Sequence, residues 1–280
     1  MTREKTSRFA RCALETPPRF SFNRPVPTKV IAVANQKGGV GKTTTAVNLA
    51  ACLAAVGQKI LLFDLDPQAN ATSGVGLEKT EGASAYRVLL GEGSLLEKIK
   101  PTNFAGLEVV PSEVDLCAAD LELVHLENHL QRVALALRPV RDSQRFDLVL
   151  MDCPPSLSLL SLNAFAACDG VLVPLQCEYY ALEGISMMNR VLGQLRDTAV
   201  NPRLEIFGVV MTMFDGRTMH SREVVARLVD TFGDDVFHTV IARTVKFPES
   251  TVVGEPITTY SPSSSGANAY RSLAPLELGE

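Results

Sequence analysis

Residues Lys37 to Thr45 read Lys-Gly-Gly-Val-Gly-Lys-Thr-Thr-Thr and join two segments of different character. Before them lies the uninterrupted apolar run Val30-Ile31-Ala32-Val33-Ala34, and after them Ala46 to Ala54 is helix-forming. A strand that turns into a helix through three glycines lets the backbone wrap closely around an anion, with the N–H groups and positive end of the helix facing it. Lys42 adds a full charge. The stretch reads as a phosphate cradle, and a glycine-rich turn that holds no ligand is the weaker alternative.

Two further apolar strands end in acids. Lys59 to Phe63 runs into Asp64-Leu65-Asp66-Pro67-Gln68, and the strand from Phe146 ends at Asp152. Ligands of open α/β sheets bind at the carboxyl ends of strands, so these carboxylates are candidates for chemistry beside the cradle. Asp-Pro is also a common loop opening, and an acid can cap a following helix; the position at strand ends outweighs both. An acid closing a buried strand downstream of a phosphate loop is the layout that holds Mg²⁺, usually through water.

The common loop Gly-x-x-x-x-Gly-Lys-[Ser/Thr] is not met, because Gln36 replaces its first glycine and Lys37 adds a second lysine. This form resembles the deviant Walker A motif of the ParA/MinD family of P-loop ATPases. Asp64 to Gln68 resembles the family's Walker A′ motif, and Cys153-Pro154-Pro155-Ser156 looks like its switch segment. Gln176-Cys177-Glu178-Tyr179-Tyr180-Ala181-Leu182-Glu183-Gly184 closely matches the chromosomal ParA (Soj) branch, and the likeness runs from residue 29 to about 274.

The resemblance implies an ATPase with ATP and Mg²⁺ as cofactors. It assigns Lys37, Gly38, Gly39, Val40, Gly41, Lys42, Thr43 and Thr44 to the nucleotide, and Thr43, Asp64 and Asp152 to the metal. Gly39, Gly41 and Lys42 would hold the β/γ-phosphates and Thr44 the α-phosphate. Asp66 would orient or activate the attacking water, and Lys37 would reach across an ATP-dependent homodimer to the partner's nucleotide. Arg217, Arg243 and Lys246 fall where the family binds double-stranded DNA non-specifically, although Ala242 to Thr251 departs from the usual Pro-Arg-Asn-Val-Arg-Leu-Ser-Glu-Ala-Pro. The implied role is chromosome or plasmid partition in the cytoplasm, associated with the nucleoid. A ParB-like centromere-binding partner would stimulate hydrolysis through its N-terminal segment.

A chain of 280 residues suits one large α/β domain, here residues 29–280 after a basic, flexible tail over 1–28. Strands alternating with helices predict a doubly wound, mostly parallel sheet with helices on both faces. Between Glu113 and Leu137 apolar residues recur at helical spacing and predict one amphipathic helix, with His125 and His129 on its surface. The net charge of −4 provides no global basic field, so any DNA contact must come from a local patch. Six cysteines form no Cys-x-x-Cys pair and lie mostly in apolar runs, which reads as reduced, buried thiols in the cytosol. No apolar run approaches the roughly 18 residues that span a bilayer, and no apolar h-region follows the N-terminal charges.

Three rivals share the loop or its ligand. A MinD-like ATPase positioned on a membrane would end in a basic amphipathic helix, whereas Ala274 to Glu280 is acidic and interrupted by Pro275. An iron–sulfur reductase needs cysteines facing each other across a dimer axis, and Cys153 and Cys168 lack that family's surrounding sequence. A non-catalytic ATP-dependent scaffold would be favoured only if Asp66 were dispensable.

Overall fold

The computed structural model describes residues 27–178 and 181–278, so the tail expected over 1–28 lies outside the described residues apart from Pro27 and Thr28. Eight strands form one sheet: β1 (Lys29–Val33), β2 (Ile60–Asp64), β3 (Lys100–Pro101), β4 (Leu107–Val110), β5 (Leu148–Asp152), β6 (Gly170–Gln176), β7 (Ile206–Phe214) and β8 (Val236–Ala242). Their order is β3-β4-β2-β5-β1-β6-β7-β8. Every pairing is parallel except that of β3 with β4 at the edge.

The central strands are apolar throughout because both of their faces are covered. Alternation along each strand sends Val30, Ala32, Leu61, Phe63 and Met151 to one side and Ile31, Val33, Leu62 and Leu150 to the other. The first side packs against helices Arg132–Asp142, Leu159–Ala167, Ala181–Asp197 and Met219–Phe232. The second meets Lys42–Ala55, Lys246–Val253 and Ser265–Leu278. Each fully buried Leu, Ile or Phe contributes about 1.5–3 kcal/mol, so the two layers hold the sheet rigid beneath its loops.

Register then places the acids. Pairing of β2 with β5 sets Asp64 opposite Asp152, and pairing of β1 with β5 sets Val33 beside Asp152. Both carboxylates therefore arrive at the carboxyl edge where β1 turns into the glycine-rich loop.

The helix expected over Glu113 to Leu137 is broken. It becomes a 3₁₀ turn (Val114–Ala118), one α-turn (Ala119–Glu122), a second 3₁₀ turn (Leu123–His125) and, further on, the helix Arg132–Asp142. Asn128 interrupts it with φ 55, a left-handed conformation that asparagine tolerates better than most residues. His125 and His129 are exposed, as expected. The C-terminal helix Ser265–Leu278 runs through Pro275, where the sequence predicts an interruption. So close to the helix end, a proline forfeits only one of the last backbone bonds. No described helix is long and apolar enough to cross a membrane.

Candidate functional site: a phosphate loop ringed by buried acids

Gly41 is the N-cap of helix Lys42–Ala55 with φ 88, and Gly39 has φ 72. Such backbone is closed to most side chains, and a glycine cap contributes no side chain of its own, leaving the first-turn N–H groups for an anion. The helix is buried along nearly its whole length, from Lys42 to Ala54, and its alanines let it lie close to the sheet.

Two tethers fix the loop. Asn35 donates from Nδ2 to the Pro174 carbonyl (2.8 Å) and accepts the Lys37 N–H (3.0 Å). The Thr212 hydroxyl on β7 donates to the Val40 carbonyl (2.8 Å). Neither residue belongs to a recognised motif. The available cue is a lone polar residue at the end of, or within, an otherwise apolar strand, which must find a partner when buried.

Lys42 is only 6% exposed, and its Nζ donates to the Lys37 carbonyl (3.2 Å). Burial lowers its pKa, while the charges of Asp152 and then Asp66 raise it in opposition. Asp64 is fully buried. It accepts hydrogen bonds from the Thr72 N–H (2.8 Å) and hydroxyl (2.7 Å) and from the Asp66 N–H (3.1 Å). Burial nevertheless pushes its carboxyl up to about 6, against those hydrogen bonds and with help from the Asp66 charge. Asp66 accepts the Gln68 N–H (2.9 Å).

Asp152 differs from its neighbour. It is fully buried, and neither carboxylate oxygen has a hydrogen-bond partner at normal distance. Burial, then Asp64, holds its pKa well above the usual range; Thr43 and Lys42 act on it in the opposite sense without closing a normal hydrogen bond. A buried carboxylate left open in this way is costly unless a cation completes it. Mg²⁺ fits, because it is held by one or two carboxylates with waters and phosphate oxygens, not by an all-protein cage. Among the described residues no group of three or more His, Cys, Asp or Glu forms such a cage. Cys153 and Cys168 are buried at 1% and 3% exposure, with burial pushing the Cys168 thiol up to about 12. Neither is available at a surface to share a cluster.

Lys37, Gly38 and Gly39 form the exposed crest of the loop. The Lys37 ammonium leaves the cradle and pairs with Glu178, with Gln176 Oε1 at 3.4 Å. Beside Gly41 and Thr44 opens a cavity of about 540 Å³, walled by Met213, Arg243, Phe247 and Tyr270 among others. Met213 holds φ 51 there, a strained backbone for a long side chain and a feature that clusters at ligand sites.

The three basic residues expected at DNA are placed near one another but not left bare. Arg217 binds Asp215 through Nε (2.9 Å) and Nη2 (2.7 Å), and that hydrogen-bonded guanidinium holds the Asp215 carboxyl down to about 2. Arg243 acts on the same carboxylate at longer range. Lys246 pairs with Glu249 (2.7 Å), which also accepts the Tyr260 hydroxyl (3.1 Å).

The AAA domain family matches residues 28–206. The chromosome-partitioning ATPase Soj of Thermus thermophilus is 48% identical over 244 residues, covering 87% of this chain and 93% of that protein. The sporulation initiation inhibitor protein Soj of Bacillus subtilis is 45% identical over 247 residues, covering 88% and 96%. Among solved structures, cobyrinic acid a,c-diamide synthase of Mycobacterium smegmatis with bound ATP analog and magnesium superposes at TM-score 0.76 and 35% identity, covering 88% of this chain and 93% of that one. Identity is thus higher to proteins named for partitioning than to the amide synthase, and it spans the loop, the acids and the sheet that carries them. On that ground the chain belongs to the ParA/Soj family of chromosome-partitioning P-loop ATPases.

Proposed function

We propose that residues 29–280 act as one ATPase domain that binds ATP and Mg²⁺, pairs with a second copy of itself and holds DNA non-specifically as that dimer. A ParB-like partner resets it by stimulating hydrolysis, in a chromosome- or plasmid-partition role on the nucleoid in the cytoplasm. Relatives named for chromosome partitioning support the role. The observation that carries the nucleotide reading is the meeting, at one loop, of buried Lys42 with Asp66 and an unpartnered Asp152.

In this reading the N–H groups of Gly39 and Gly41, with Lys42, hold the β- and γ-phosphates, and Thr44 supports the α-phosphate. Thr43 and Asp152 hold the metal, which when bound supplies charge neutralisation on the phosphates. Asp64, committed to Thr72, fixes the edge on which Asp152 stands and completes the acidic side of the metal site. Asp66 orients water for attack. Lys37 serves the partner's nucleotide, where a positive charge stabilises the transition state. The cavity beside Thr44 has the size and apolar walls for the base. Arg217, Arg243 and Lys246 contact DNA phosphates.

The test combines turnover with co-sedimentation. Slow, Mg²⁺-dependent ATP hydrolysis and retention on DNA with ATP, but not with ADP, are expected. Asp66→Ala is expected to bind ATP and accumulate on DNA without turnover. Hydrolysis at the wild-type rate in that variant, or DNA retention indifferent to nucleotide, would overturn the reading.

A further inference from the structure

The two lysines of the loop stand five positions apart, yet their ammonium groups go to different places. Lys42 turns inward and bonds the Lys37 carbonyl (3.2 Å). Lys37 turns outward to Glu178 and Gln176, both just past or at the end of β6. Its backbone is held by the same strand, since its N–H binds Asn35, which binds the Pro174 carbonyl. β6 therefore grips Lys37 at both ends.

We infer that Glu178 is a positioning residue that holds Lys37 out of its own cradle and must release it before two copies can close. The inference rests on the proposed action of Lys37 on the partner's nucleotide. A carboxylate carries one negative charge and a triphosphate several, so the ammonium gains by exchanging Glu178 for a nucleotide on the facing copy. Without that nucleotide, leaving Glu178 gains nothing. The pair thereby makes closure conditional on the partner's ATP, and it prevents Lys37 from neutralising its own.

The pair is half exposed, at 53% and 46% for the two side chains, so it is weak. Exposed pairs shift an equilibrium by about two- to fivefold. Two such pairs open for every dimer formed, so the factor enters as its square, and the dimer dissociation constant is raised about 4- to 25-fold.

Glu178→Gln keeps the shape and removes the charge. Wild type and this variant are titrated with a non-hydrolysable ATP analogue and Mg²⁺, and dimer formation is followed by analytical ultracentrifugation at rising NaCl. The variant is expected to dimerise at about 4- to 25-fold lower protein concentration in dilute salt. The ratio of the two dimer constants should fall toward one as salt screens the pair, which a purely structural role for Glu178 would not produce. Lys37→Ala is measured alongside. Glu178→Gln indistinguishable from wild type, or weaker in dimerising, overturns the positioning role while a defective Lys37→Ala leaves the action in trans standing. Lys37→Ala that dimerises and hydrolyses ATP like wild type overturns both.

Discussion

At the scale of single residues the site stores an imbalance in Asp152. Its carboxylate is fully buried with no partner, one residue in sequence from a buried cysteine and across one strand pair from another acid. Such a group costs the nucleotide-free fold free energy that an uncharged amide would not, and it persists because the metal needs it. Asp152→Asn is therefore expected to stabilise the free protein by about 1 kcal/mol or more in urea denaturation, while ATP turnover in Mg²⁺ falls by about 10²-fold. A variant that was both less stable and fully active would remove Asp152 from the metal. Asp64 answers the same substitution differently, because three hydrogen bonds depend on its oxygens; its loss destabilises.

At the scale of elements the helix that follows the loop is clamped by the end of the chain. Tyr270, 1% exposed on the C-terminal helix, bonds the Thr45 hydroxyl (3.1 Å) and meets Phe247 edge-on at 5.8 Å. Asn48 accepts the Ile257 N–H (2.6 Å) while donating to the Thr44 carbonyl (2.8 Å). Tyr270→Ala should cost about 3–5 kcal/mol by cavity formation, and Tyr270→Phe only about 1 kcal/mol. ATP affinity should follow the first variant and not the second; an alanine variant within 1 kcal/mol of wild type would show that the clamp contributes little. The loop, the acids and the central strands were legible in the sequence because continuous apolar runs and strand-end acids are local signals. The tethers were not, since Asn35 and Thr212 find partners 139 and 172 positions away. The break after Glu113 was hidden for another reason: 3₁₀ and α-turns place apolar residues at the same three-residue spacing. Likewise the residue string shows Arg217 as a free charge, and only the folded turn closes it onto Asp215.

At the scale of the whole molecule, partition chemistry couples nucleotide, dimer and DNA, and each coupling has its own variant. Asp215 stays charged at any pH well above about 2, so its competition with DNA phosphate for Arg217 is constant through the physiological range. Asp215→Asn should tighten DNA binding in dilute salt about two- to fivefold, and Arg217→Ala should weaken it equally across sequences, flattening the log–log salt slope by about 0.9. Wild-type affinity in both would move the DNA surface away from this turn. Gly38 tests the coupling from the other side. A Cβ built there meets nothing within 4 Å, and the residue lies on the exposed crest, so Gly38→Val should fold and bind ATP as wild type does. What the branched side chain would meet is a facing loop: two crests brought close enough for each Lys37 to reach the other's phosphates leave no room for it. The variant should therefore stay monomeric with ATP and Mg²⁺ by light scattering. It should also lose DNA retention with Arg217 untouched, because two weak patches hold DNA only when joined. Dimerisation at the wild-type concentration would mean that the loops do not face each other, and Lys37 would then act only within its own subunit.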